Sequence, residues 1–170
     1  ATNSSQIDVK LAEGIRRYDY AYEVLNLVNQ ERAKSNRQPV TMDKNLLECA
    51  MTRAQELTLY ASHTRPNGTS CMTAFPYFGY NSSENLAINQ VSPEDVMNSW
   101  MNSTGHRTNI MAPGNVSAGI GCFYQNGALY WIQCFSSHAA QACSQPGNQK
   151  VSPTISVLSD LVNISFSETS

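Results

Sequence analysis

An α+β fold is expected from this sequence, on three observations: two apolar helical stripes within the first 60 residues, a third helix opened by a proline-containing cap, and an Asn-Gly turn between two β-rich runs. From Ile15 to about Lys34, the residues Tyr18, Tyr22, Leu25, Val28 and Arg32 recur at three- and four-residue steps, which puts them on one helical face. "SNRQP" ends that helix, because Pro39 disfavours helical geometry in Gln38 and has no N–H to donate. Asp43 then reads as the N-cap of a second helix, whose stripe of Leu46, Leu47, Ala50, Met51, Ala54 and Leu57 runs to about Tyr60.

Residues 61–83 hold Pro66, Gly68, Pro76, Gly79 and the turn pair Asn67-Gly68, and read as a long loop with one short helical turn near "MTAFPYF". In "SPEDVMNSWMN", Ser92 caps a third helix, Pro93 takes the first position where its missing N–H costs nothing, and Asp95 reaches back as in a capping box. Asn126-Gly127 joins "AGIGCFYQ" to "ALYWIQCF" as a hairpin. Its register sets Gln125 opposite Ala128, Cys122 opposite Trp131 and Gly119 opposite Cys134, so Cys122 and Cys134 point to opposite faces and do not bridge each other. The polar tail contains one β-like stretch, "TISVLSDLVNISF", readable as an added strand or a tether. The chain divides into an N-terminal extension (1–16), one domain (17–138) and a polar C-terminal extension (139–170) that could pack on it.

Composition narrows the function classes. The formal net charge is -2 and Lys and Arg are scattered, so no basic stripe exists to neutralise phosphates, and nucleic acid is excluded as a partner. No apolar run approaches the roughly 18–20 residues of a membrane span, and "ATNSSQIDVK" lacks the order of a signal peptide. Charged residues are 14% of the chain, well under the ~25% of an average soluble domain. Together with five cysteines and no CxxC pair, this points to a mature secreted protein with at most two disulfides, Cys134 pairing better with Cys71 or Cys143. Five reduced, buried thiols are the alternative. We expect a monomer.

Three segments concentrate polar chemistry at element ends: "SHTRPNG" with His63 and Arg65, "SENLA" with Glu84 and Asn85, and "GHRTNIM" with His106, Arg107 and Asn109. Two imidazoles and a carboxylate can form a metal site, an acid–base pair or an ordinary hydrogen-bonded network, and residue type alone does not choose among them. His138 reads as a surface residue, Arg65 as a loop anchor, Arg107 as a fork pinning loop carbonyls, Asn109 as a backbone cap, and Trp100 and Trp131 as core or cleft-wall aromatics. No HExxH, GxSxG or phosphate loop is present, and no cysteine lies in an activating context.

In their order along the chain, "VLNLVNQERAKSN", "LLECAMTRAQEL", "HTRPNG", "ENLA", "SPEDVMNSWMNSTGHRTNIM", "GIGCFY" and "YWIQCF" resemble the CAP superfamily of cysteine-rich secretory proteins, antigen 5 and pathogenesis-related 1, over about Tyr18 to Ser136. Its bacterial secreted branch looks closest. The resemblance implies a three-layer α-β-α sandwich with a central antiparallel sheet and an open cleft, which in some members gathers two histidines and two acidic residues around a divalent metal such as zinc. His63 matches the first cleft histidine and Glu84 the acid of the "ENL" segment. Two positions depart from the pattern: Ser103 stands near where other members have a glutamate beyond the helix tryptophan, and Tyr130 replaces the histidine of an "HYTQ"-like strand motif that keeps Gln133. We therefore expect His106, returned by a loop after the third helix, to join His63 and Glu84, with Tyr130 and Gln133 nearby. His63 and His106 are the candidate metal ligands, although no cofactor is required. The expected function is binding of an extracellular lipid, glycan or peptide, or of a divalent metal. The alternative is a metal-assisted hydrolase acting on extracellular peptides, with Glu84 as base. No nucleophile or oxyanion hole commits any residue to catalysis.

Overall fold

The computed structural model describes residues 7–10, 13–158 and 161–168. Its strands are β1 (Ile7–Lys10), β2 (Gly14–Arg16), β3 (Thr41–Met42), β4 (Ser82–Ile88), β5 (Ser117–Gln125), β6 (Ala128–Ser136), β7 (Gln149–Leu158) and β8 (Leu161–Glu168), and its helices are α1 (Tyr18–Lys34), α2 (Lys44–Leu57), α3 (Pro93–Met101) and α4 (Thr104–Met111). The sheet runs β1-β7-β2-β5-β6-β4, with β8 on β7 and the two-residue β3 on β5. Its pairings are antiparallel apart from the parallel β3–β5 contact.

Side-chain alternation along β5 and β6 divides the core into two layers. Ala118, Ile120, Cys122, Leu129, Trp131 and Phe135 face the layer of α1, α3 and α4. Phe123, Ile132 and Cys134 face α2 and its Leu46, Cys49, Ala50 and Leu57. The result is an α-β-α sandwich. The hairpin turns on Asn126 (φ 49°) and Gly127 (φ 81°), both left-handed as this tight connection requires, and it closes in the expected register, including Cys122 opposite Trp131 and Gly119 opposite Cys134.

The caps follow the sequence logic. Asp43 accepts from the N–H groups of Asn45 and Leu46 and also holds the Tyr77 hydroxyl and the Gln141 N–H. Ser92 accepts from Asp95 N–H, and Asp95 reaches back to the N–H of Val91. A short 3-10 turn at Cys71–Ala74 occupies the predicted loop. Of "TISVLSDLVNISF", residues 154–158 form the end of β7 and residues 161–166 most of β8.

Three expectations are corrected. Ile15 and Arg16 pair with Tyr124 and Phe123 as part of β2, so α1 starts at Tyr18 instead of Ile15. Residues 104–111 form α4 where a loop was expected. Only Ile110 of α4 is buried, so it has no apolar stripe to announce it; it is held instead by Arg32, which donates from Nη1 to the carbonyls of Ile110 and Ala112 and satisfies acceptors at the helix C-terminus. No disulfide links the five cysteines in this structure, and the cysteine that shares the buried cluster of Cys134 is Cys49 on α2, not Cys71 or Cys143.

Candidate functional site

The site forms around the free edge of the sheet, where β4 is the outermost strand. Successive residues of a strand point to opposite faces, so Glu84 turns toward α2 and Asn85 toward α4. Arg53, on the buried face of α2, donates from Nε to Glu84 Oε2 (2.8 Å) and from Nη2 to Glu84 Oε1 (3.0 Å), with Nη1 on Glu56 at 2.9 Å. All three side chains are essentially inaccessible. Arg65 reaches Glu56 at 2.7 Å and completes a row of two carboxylates and two guanidiniums whose charges cancel. Burial works against the charge on Arg53, but the two carboxylates outweigh it and raise its pKa.

That row sets the loop carrying His63. Arg53 Nη2 holds the Ser62 carbonyl, Arg65 ties the next turn to α2, and Cys71 N–H donates to the His63 carbonyl. His63 Nδ1 donates to Glu84 Oε1 at 2.9 Å, leaving Nε2 on a half-exposed ring. On the other wall, Asn85 donates to the His106 carbonyl and accepts from Asn109 Nδ2, which fastens α4 to the strand. His106 Nδ1 pairs with Ser103 Oγ at 2.9 Å, again leaving Nε2. His63, Glu84, Asn85, Ser103, Gly105, His106, Thr108 and Asn109 line one open cleft of about 510 Å³.

The fold thus brings His63, Glu84 and His106 to one hollow. Tyr130 is not in it: it lies opposite Ile88 on the α2 face, four strand positions from Glu84 and so roughly 13 Å along the strand. Gln133 is buried beneath the cleft, accepting from Asn85 Nδ2 and donating to Met97 Sδ. Arg65 anchors its loop as expected. Arg107 is exposed, and Arg32 gathers the loop carbonyls instead. Trp100 and Trp131 are core residues, Trp100 donating to the Leu86 carbonyl on the edge strand. Two contributors were not anticipated. Arg53 falls seven residues after Leu46 and three after Ala50, so a cation on the core-facing stripe of α2 was the available signal. Cys71, buried, groups with His63 and Glu84 so that one ligand atom of each lies within 4.8 Å of the others; burial and the adjacent Glu84 raise its thiol pKa, which disfavours the thiolate a metal would need.

Burial, and then the neighbouring His63, lower the pKa of His106 below the ordinary imidazole value of 6.5. It is accordingly neutral near pH 7. Because the unfolded chain takes up this proton first, the His106 contribution to stability falls as pH drops through about 6.5 toward the lower folded value. In an NMR titration the His106 ring should show a midpoint below 6.5 that rises part of the way back in His63→Ala; a midpoint unmoved by that substitution would contradict the coupling.

Residues 25–135 match the family model of the cysteine-rich secretory protein family, CAP. The chain belongs to this family. The CAP chain is 34% identical over 121 residues to the uncharacterised protein YkwD of Bacillus subtilis, a match covering 68% of this chain and 46% of YkwD, so it spans about half that relative's length. Among solved CAP-like folds, it is similar to an extracellular protein containing an SCP domain from Bacillus anthracis (TM-score 0.60, 21% identity, 69% of this chain and 40% of that one). An outer surface protein of Borrelia burgdorferi gives TM-score 0.64 at 18% identity, over 79% of this chain and all of that one. These two likenesses bear on the CAP fold alone, and their names describe those two proteins as extracellular and outer-surface proteins. No helix among the described residues is long and apolar enough to cross a membrane.

Proposed function

We propose that this domain is a secreted binding module whose cleft takes a polar extracellular ligand, a peptide or glycan segment, or a divalent metal ion such as zinc, on the Nε2 atoms of His63 and His106. One observation carries the proposal: both imidazoles line the same cleft with Nδ1 engaged by a protein partner and Nε2 left over. A ring oriented through one nitrogen by a carboxylate is the usual support for a ligating histidine, and imidazole nitrogens suit zinc. Glu84 serves as orienter. A bound ion would supply a Lewis-acid centre open to water. The lining residues are all polar apart from Gly105, which favours hydrogen-bonding ligands over a lipid. The hydrolytic alternative is weakened because both Glu84 oxygens already accept bonds from Arg53, which leaves it poorly placed as a base.

Calorimetric titration of zinc into the parent protein, His63→Ala and His106→Ala tests the shared site. Each substitution should weaken binding by at least about tenfold; equal affinity in all three proteins would overturn it.

A further inference from the structure

Cys49 and Cys134 are both buried in the same apolar cluster, in the layer between α2 and the sheet. A disulfide needs Cα atoms within about 4.4–6.8 Å of each other. Here the separation is reduced by glycine. A Cβ at Gly119, the cross-strand partner of Cys134, would come within 2.0 Å of the Leu46 carbonyl oxygen, and one at Gly121 within 2.2 Å of that of Ala50. The backbone of α2 therefore rests directly on β5, and Cys49, one turn after Leu46, is lowered toward β6. The other thiols have different surroundings: Cys71 lies within 4.8 Å of Glu84 and His63, Cys143 lies 3.4 Å from the Tyr22 hydroxyl, and Cys122 is buried on the opposite face of the sheet.

We propose that Cys49 and Cys134 are a cross-linking site that closes to a disulfide when the chain folds in an oxidising exterior, fastening α2 to β6 beside the site. Cys134 is the cross-strand partner of Glu84, and Cys49 lies one turn before Arg53, so the bridge sits beneath the ion pair that orients His63. With a disulfide such as oxidised glutathione as oxidant, one cysteine thiolate displaces a glutathione thiolate to form a mixed disulfide; the second then displaces the other glutathione. The cysteine pair loses two electrons and two protons, and two reduced glutathiones leave. Burial holds the Cys134 thiol well above its usual pKa, so closure belongs to folding, before the pair is sealed.

The test is to refold the reduced, denatured full chain in a glutathione redox buffer, block remaining thiols, digest without reduction and map linked peptides by mass spectrometry. The expected product links Cys49 to Cys134 and leaves Cys71, Cys122 and Cys143 alkylated. A second protein with those three cysteines replaced by alanine should form the same link, and its oxidised form should melt higher than its reduced form by on the order of 10 °C, as expected for closing a loop of roughly 85 residues. Alkylation of both Cys49 and Cys134 after refolding, a Cys134 link to Cys71 or Cys143, or identical melting of the two redox forms would overturn the proposal.

Discussion

Replacing Arg53 with methionine is expected to cost about 3–5 kcal/mol of folding stability, the usual consequence of removing one partner from a buried ion network. Methionine keeps much of the side-chain volume, so the loss is electrostatic. Arg53 is inaccessible and contacts Glu84 through two nitrogens and Glu56 through a third. Without it, the one remaining guanidinium, the partly exposed Arg65, reaches Glu56 alone, and buried Glu84 keeps only the His63 ring as a partner. The Ser62 carbonyl loses its donor as well, so the His63 loop loosens with the core. Adding Glu84→Gln to the variant removes one orphaned charge and should recover part of the loss, the non-additivity expected of a shared network. Urea melts of the parent, the single and the double variant decide it: a single-variant loss below about 1 kcal/mol, or strict additivity, would show that the network does not hold the site.

Gly121→Ala and Gly119→Ala should each destabilise at the top of the 1–3 kcal/mol range for overpacking, or beyond it. The added methyl meets backbone: the Ala50 carbonyl and Met51 nitrogen at position 121, and the Leu46 carbonyl at position 119. Side chains can rotate away from a clash, whereas here α2 must lift as a unit and carry Arg53 with it. Gly105→Ala is the contrast. A Cβ there meets open space, and the position is helical, so alanine should stabilise by up to about 1 kcal/mol. Thermal melts of the three variants test the ordering; a Gly121→Ala protein as stable as its parent would contradict the close seating of α2.

These two predictions also mark where the sequence was legible. Local chemistry was: Asp43, Ser92-Pro93 and Asn126-Gly127 announce their caps and turn because the stabilising bonds lie within four residues of the signal. Long-range pairing was not. Gly14–Arg16 is too short to show a period, and its strand identity comes from partners more than 100 residues away. The helix α4 depends on Arg32, 78 residues upstream of Ile110, and on Asn85, so its own residues read as a loop. At the site, His63, Glu84 and His106 could be picked out as rare polar groups at element ends. The placement of Tyr130 failed because strand alternation and distance along β6 carry its ring away from the cleft. Arg53 was overlooked although its position on the α2 stripe marks it as a cation the core must neutralise.

The central claim is that His63 and His106 present Nε2 to one cleft. Long-range proton–nitrogen NMR of the histidine rings during a zinc titration tests it most directly. Before zinc, the Nδ1 of His63 should carry the proton that Glu84 accepts. On addition, the Nε2 signals of both rings should move together at one stoichiometric equivalent while His138 stays still. Movement of only one ring, or a shift of all three histidines without saturation, would contradict the account.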